Sequence, residues 1–406
     1  MTYSWLDGGV TAPSGFNAAG IHCGIRKNKS KKDLALIVAE TPCTAAAVYT
    51  QNLVKGAPLL VTQRNLKNGR AQVVVCNSGN ANTCNADGVE KAEKMCALTA
   101  QALGLNAADV IVASTGVIGQ VLPLEPIEQG IPPLTAALSS TGGGDAADAI
   151  MTTDTIRKQF ALSVEIGGKT VTLGGMAKGS GMIHPNMATL LCFITTDCAI
   201  SAPMLQEALM QANGVSFNMV SVDGDTSTND MASIMASGLA GNAEITEKNA
   251  DFTAFTSALT ALMTALSKEI ARDGEGATKL LICRVAGGKT DADAQGIAKA
   301  VICSSLFKAA MFGADANWGR VLCAIGYAGC AVDIDNVDVS FSSDKGVITV
   351  CKKGAGLDFD EDTAKKILSE NEITIDITLH DGSASAEAFG CDLTYDYVKI
   401  NGDYRT

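Results

Sequence analysis

Thr189 stands where a threonine can become a nucleophile. It is preceded by Lys178-Gly-Ser-Gly-Met-Ile-His-Pro-Asn-Met-Ala188 and followed by Leu-Leu-Cys-Phe-Ile-Thr-Thr. A loop containing glycine and proline thus delivers a small residue and a threonine onto the first position of an apolar strand. Such a threonine can attack its own preceding carbonyl, cut the chain between Ala188 and Thr189, and emerge as a new N-terminus. A hydroxyl beside a free α-amine is a nucleophile that carries its own base. An α-amine titrates near ~7.7–8.0, so part of it is unprotonated at neutral pH. Histidine, the commoner base for a hydroxyl, is confined to His22, His184 and His380. A threonine opening a strand is also commonplace, so residue type alone leaves both readings open.

Other polar positions carry the same kind of choice. Ser114-Thr115-Gly116 closes an apolar run with a hydroxyl and a permissive glycine. A backbone N–H exposed there, with the Thr115 hydroxyl, suits an acyl oxyanion, and donors of this kind are worth roughly 3–4 kcal/mol; an ordinary turn is the alternative. Lys178 is a surface lysine by default, yet the glycine after it lets backbone and ligand approach closely. Cys76-Asn-Ser-Gly-Asn-Ala-Asn82 reads either as asparagines in left-handed turns or as the wall of a site. Asp223-Gly-Asp225-Thr-Ser-Thr-Asn229-Asp230 resembles half of a calcium loop. Its glycine is misplaced and no Glu closes it, so it reads as a polar turn rich in local hydrogen bonds. Gly168-Lys169-Thr170 and Gly288-Lys289-Thr290 lack the earlier glycine of a phosphate loop, and Gly142-Gly-Gly144 follows no strand, as a dinucleotide site requires.

The elements that must position these residues follow from apolar spacing. Residues 33–39, 45–49, 58–63, 72–76 and 109–113 read as strands. Residues 87–103 form an amphipathic helix closed by Gly104. Residues 160–166 and 170–173 make a hairpin, and the loop 174–188 leads to the Thr189 strand. Helical patterns follow at 202–213, 251–271 and 291–312, the last capped by Thr290-x-x-Asp293, with a strand at 279–285. From roughly 285 onward the tail reads as a separate small α+β unit.

Composition sets the outer bounds. At 406 residues, with 47% apolar content and 41 glycines, the chain is a well-buried protein of more than one packed unit. Its net charge of −12 argues against a nucleic-acid partner. The one basic run, Arg26 to Lys32, reads as a solvated turn. No apolar run approaches the roughly 20 residues needed to span a bilayer, and the N-terminus lacks a secretory pattern. Thirteen cysteines without C-x-x-C spacing read as buried thiols in a reducing cytosol, Cys303 and Cys323 among them. The expected location is cytoplasmic, with no metal site.

Six spaced motifs in order resemble the ornithine acetyltransferase family of arginine biosynthesis, the ArgJ type, over nearly the whole length. They are Ala113–Gly119, Lys178–Thr189, Val222–Asp230, Asp273-Gly-Glu-Gly-Ala-Thr278, Ala316-Asn-Trp-Gly-Arg320 and Tyr397–Thr406. The resemblance implies an α+β fold: an αββα sandwich, shared with a self-cleaving β-peptidyl aminopeptidase group, and an additional C-terminal α+β domain. It implies an α chain of residues 1–188, a β chain whose first part, 189–284, completes the sandwich, and a C-terminal domain, 285–406, whose tail returns to the site. Two α and two β chains would form a heterotetramer. The implied reaction is ping-pong: Thr189 takes acetyl from N2-acetylornithine, releases ornithine and passes the acetyl to glutamate. Some members also accept acetyl-CoA as donor; no bound cofactor is implied.

Carried over by position, Thr115 and Gly116 match the oxyanion residues, and Thr152, Lys178, Thr189, Glu275, Asn401 and Thr406 match substrate contacts. Lys178 and Thr152 suit an α-carboxylate, and Glu275 suits a side-chain ammonium. Two readings compete: a self-cleaving amidohydrolase or aminopeptidase of the same fold, and a non-catalytic ligand-binding protein with an intact chain.

Overall fold

The computed structural model describes residues 3–184 and 190–403. In chain order its strands are β1 (Tyr3–Leu6), β2 (Phe16–Ile21), β3 (Leu34–Tyr49), β4 (Arg70–Asn77), β5 (Val110–Ser114), β6 (Lys158–Ile166), β7 (Lys169–Lys178), β8 (Leu191–Thr196), β9 (Val220–Ser221), β10 (Met231–Ala236), β11 (Leu280–Gly288), β12 (Asp338–Ser343), β13 (Gly346–Lys352), β14 (Ala355–Gly356), β15 (Glu372–Thr378) and β16 (Ala384–Cys391). Its helices are α1 (Ala57–Asn65), α2 (Gly88–Leu103), α3 (Glu125–Ala136), α4 (Gly143–Ile150), α5 (Ala202–Val215), α6 (Ala250–Arg272), α7 (Asp291–Cys303), α8 (Ser305–Phe312), α9 (Trp318–Gly326), α10 (Glu361–Leu368) and α11 (Tyr395–Asp403).

One sheet runs β1-β6-β7-β8-β10-β3-β4-β5, with β2 also on β3. Strand β3 makes it two layers. Its first half, Leu34–Ala39, pairs with β2 and β4, and its second half, Thr44–Tyr49, pairs with β10. The ladder to β4 loses register between Val38 and Cys43, and Glu40, Thr41 and Pro42 there are exposed.

Side-chain alternation then fills three cores. On β8, Cys192 and Ile194 face α5 and α6, while Leu191 and Phe193 face inward. On β4, Val73 and Val75 face α2 and α3, while Val74 and Cys76 face inward. The order is helix, sheet, sheet, helix, so the sandwich implied by the family resemblance is present. α6 anchors one outer layer through Phe255, Leu259, Leu262, Leu266 and Ile270, all fully buried; each such side chain contributes roughly 1.5–3 kcal/mol.

The second sheet runs β14-β13-β12-β15-β11-β16-β9 and packs α7, α8, α9 and α10 around its own core. The additional C-terminal α+β unit is therefore also present. The boundary at 284/285 falls inside β11, and β9 joins this sheet from residues 220–221.

Several local expectations change. Residues 58–63 are helical in α1, with Pro58 in its first turn, because a short apolar run does not distinguish strand from helix. The pattern at 291–312 breaks into α7 and α8, where Ser304 caps the second helix by accepting from Phe307 N–H at 3.3 Å. Residues 33–39 and 45–49 are halves of one strand. Gly142, for which the sequence assigns no element, is the N-cap of α4, and a Cβ there would meet the Ala18 carbonyl oxygen at 1.9 Å. Arg26 is not simply solvated: its Nε donates to Ser78 O at 2.9 Å. Cys323 is exposed and Cys303 half-buried. No described helix is long and apolar enough to cross a membrane.

Candidate active site

A cavity of about 140 Å³ lies beyond the ends of β5 and β7, where the C-terminal helix α11 arrives. It is lined by Thr115, Gly116, Thr152, Lys178, Glu275 and Asn401, together with Ala81, Ile118, Thr153, Gly181, Met182 and the Ser227-Thr228-Asn229 turn. Six of the residues singled out in the sequence are thus brought to one place. Ala188, Thr189 and Thr406 lie outside the described residues. Leu190 is buried, and its carbonyl accepts from Met231 N–H at 2.9 Å, at the start of the β8–β10 ladder.

Thr115 and Gly116 follow the last residue of β5. The Thr115 N–H donates to Asn77 O at 2.9 Å, so its hydroxyl is what it can offer a ligand. Lys178 Nζ donates into that hydroxyl oxygen at 3.4 Å, which leaves the hydroxyl proton free to point elsewhere. Gly116 takes a φ of +126°, and a Cβ there would meet the Gly79 carbonyl carbon at 2.8 Å; glycine is required by both conformation and space. No acceptor among the described residues takes the Gly116 N–H, so of the two backbone N–H groups it is the one that could be offered to a ligand.

The Cys76–Asn82 segment turns out to be both turn and wall. Asn77 Oδ1 accepts from Gly79 N–H and Asn80 N–H, and Asn77 Nδ2 donates to Ser114 Oγ at 2.7 Å. Asn82 sits at φ +50°, and Ala81 lines the cavity. Burial pushes the Cys76 thiol up to about 12, against the charges of Lys178 and Arg26, so it stays protonated and is no rival nucleophile.

Asn229, read from the sequence as part of a polar turn and given no individual role, lines the cavity. Its Nδ2 donates to Ala81 O at 2.6 Å and Ser114 O at 2.9 Å, and its Oδ1 accepts from the Thr83 and Thr228 hydroxyls, tying the walls together. Its neighbour Asp230 is buried, and Oδ2 has no hydrogen-bond partner among the described residues. Burial raises the Asp230 carboxyl well above its usual range, outweighing a Ser227 hydrogen bond and the Lys178 charge. Asp223 accepts Met182 N–H at 2.7 Å and Ile183 N–H at 2.9 Å, pinning the loop after Lys178.

Lys178, at the end of β7, is 8% exposed, so the surface reading of it fails. Glu275 Oε2 accepts from Asn401 Nδ2 at 2.9 Å, which fixes α11 over the cavity. His184 stands aside: its Nδ1 lies 3.1 Å from Ser221 Oγ, and burial, aided by Lys299, lowers it from 6.5 to about 4 despite Asp223. The cavity therefore offers one cation, one carboxylate, hydroxyls and a backbone N–H. That set can hold an amino acid by both charges and stabilise a developing oxyanion beside it.

Comparison with known proteins agrees with the motifs. Residues 17–406 match the ArgJ family. The chain belongs to that family. It is 54% identical over 404 residues to the arginine biosynthesis bifunctional protein ArgJ of Symbiobacterium thermophilum, covering 99% of this chain and 100% of that one. It is 48% identical over 403 residues to the protein of the same name from Bacillus subtilis, covering 99% and 97%. A solved arginine biosynthesis bifunctional protein from Bacillus halodurans is 46% identical, with a TM-score of 0.50, covering 52% of this ArgJ-family chain and 98% of that one.

Proposed function

We propose that this protein is a glutamate N-acetyltransferase of arginine biosynthesis, moving acetyl from N2-acetylornithine to glutamate through an acetyl-Thr189 ester after cleavage between Ala188 and Thr189. The observation that carries this reading is the single cavity in which Lys178 and Glu275 meet Thr115 and Gly116. Its volume is below the roughly 300 Å³ at which pockets for drug-sized ligands begin, a size suited to one amino acid at a time. Sequential occupation by donor and acceptor is what a ping-pong route requires. The names borne by the relatives support the pathway. The solved Bacillus halodurans chain, nearly all of it aligned, spans only about half of this one, the length of one fragment of a cut precursor.

In cleavage, Thr189 Oγ attacks the Ala188 carbonyl, and the resulting ester is hydrolysed, leaving an Ala188 carboxylate and a free Thr189 amine. In the first half-reaction that amine takes the hydroxyl proton as Oγ attacks the acetyl carbonyl. Gly116 N–H and the Thr115 hydroxyl hold the oxyanion. Collapse returns the proton to the leaving α-amine, and ornithine departs. In the second half-reaction the glutamate α-amine attacks the acetyl ester, restoring the threonine. Lys178 and Thr152 hold the α-carboxylate of either substrate, Glu275 and Asn401 meet the distal end, and Thr406 belongs to the same contact set. The two fragments stay together in a cytoplasmic assembly of two α and two β chains, which native mass spectrometry reads directly.

Denaturing mass spectrometry should find two fragments, one beginning Thr-Leu-Leu-Cys-Phe, and Thr189→Ala should remain uncut and inactive. Steady-state assay should give acetylglutamate in step with ornithine and little free acetate, with acetyl-CoA tried as second donor. An active enzyme that is a single uncut chain overturns the nucleophile; stoichiometric acetate release turns the reading to an amidohydrolase.

A further inference from the structure

We propose that Lys158 is a positioning residue for this site, holding the segments that carry Thr152, Lys178 and Glu275 in one arrangement through a buried ion cluster with Asp154 and Asp273. The inference rests on the reading of the cavity as the acetyl-transfer site, but the residues concerned lie outside its lining except through their neighbours.

Lys158 opens β6 and is 1% exposed. A lysine so placed is costly unless paired. Its Nζ lies 2.7 Å from Asp154 Oδ1 and 2.5 Å from Asp273 Oδ2. Each carboxylate in turn binds backbone at, or within two residues of, a residue that lines the cavity. Asp154 Oδ2 accepts from Thr152 N–H at 2.9 Å, and Asp154 Oδ1 accepts from Gly179 N–H, next to Lys178, at 2.8 Å. Asp273 Oδ2 accepts from Thr155 N–H at 3.0 Å, and Asp273 Oδ1 accepts from the Thr155 hydroxyl. The Asp273 carbonyl accepts from Ser180 Oγ at 2.6 Å, and Ser180 O accepts from Glu275 N–H at 3.0 Å. Segments 152–155, 178–180 and 273–275 therefore close on one ammonium.

Charge makes the cluster more than a staple. Two carboxylates and one ammonium leave a net negative charge, and Lys178 is the other cation that Asp154 feels. With Lys158 in place, Lys178 is left to a substrate carboxylate. Without it, Asp154 claims Lys178, and both amino-acid substrates lose their anchor. The expected signature is a Michaelis-constant effect shared by donor and acceptor.

In the full-length, processed enzyme, Lys158→Met should raise KM for N2-acetylornithine and for glutamate at least tenfold each, with kcat falling less than KM rises. Lys158→Arg should recover most of that loss. A folded Lys158→Met enzyme with both KM values within twofold of the parent overturns the proposal, as does a loss that tracks folded fraction alone. If Lys158→Met yields no soluble protein, Asp273→Asn decides, with a rise of at least threefold expected in both KM values and parental values overturning it. The parent is assayed first: no acetyl transfer by the parent defeats the site reading, whereas an active parent with an indifferent variant defeats only the role of Lys158.

Discussion

Lys279 and Lys308 of the C-terminal unit and Lys158 and Lys178 around the cavity are all taken out of water, but their ammonium groups end differently. Lys279 donates to the carbonyl oxygens of Met311 at 2.5 Å and Leu368 at 2.7 Å, and Lys308 donates to the carbonyl of Val222. Those contacts fasten helix ends and loops to the second sheet. Lys158 lies between two carboxylates, and Lys178 has a hydroxyl oxygen at 3.4 Å and no carboxylate in ion-pair contact among the described residues. A buried cation whose carbonyl partners surround it is a fastener. One left with a single long hydrogen bond has donors to spare for an anion, as the proposed substrate site requires.

The strongest attack on this comparison is at Lys178. Lys178→Met should lower kcat/KM at least 100-fold while the melting temperature stays close to the parent's; retention within threefold would erase the distinction. Lys308→Met should do the reverse, leaving KM alone and costing about 1–3 kcal/mol, since a charge-assisted bond is lost and a buried carbonyl is left unpaired; urea unfolding measures it.

A smaller effect sharpens the boundary between the regions, where His184 Nδ1 faces Ser221 Oγ and, at 3.5 Å, Cys303 Sγ. Burial lowers its folded pKa from 6.5 to about 4, so the unfolded chain binds the proton first. Stability is therefore withdrawn as pH falls through that window, and His184→Gln should show a shallower acid slope between about pH 6.5 and 4 in denaturant titrations. The smallest effect belongs to the exposed Arg284–Glu387 pair on the second sheet, at 2.7 Å. Arg284→Ala should change stability by about 0.2–1 kcal/mol and kinetics not at all.

Much of the fold was legible because its signals are local. Alternation marked most of the strands, Gly104 in a left-handed conformation ends α2, and Thr290 accepts from Asp293 N–H at 3.1 Å as the capping pattern required. Asp293 departs from that pattern in accepting the Thr290 hydroxyl rather than reaching back to the backbone. β9 was illegible: two residues of strand have no period, and only its partner in β16 defines it. The break at Ser304 was hidden because the apolar spacing continues across it.

The site divides the same way. Lys178 could be suspected from its glycine setting, and Thr115 and Gly116 from the end of a strand. Glu275, Thr152 and Asn401 gained meaning only from resemblance, since nothing in their neighbours' types distinguishes them. The cluster of Asp154, Lys158 and Asp273 had one local sign, the four-residue spacing of the first two. Its third member lies 115 residues farther along, and only the folded chain brings it there.

Strand β8 has a neighbour on each side: β7, antiparallel, pairs Lys178 with Leu191, and β10, parallel, pairs Met231 with Leu191. The proposed scission ahead of β8 would therefore bare no sheet edge, and its products would be interleaved rather than merely touching. Genes for residues 1–188 and 189–406 expressed separately should complement one another, and no chromatography short of denaturant should part them.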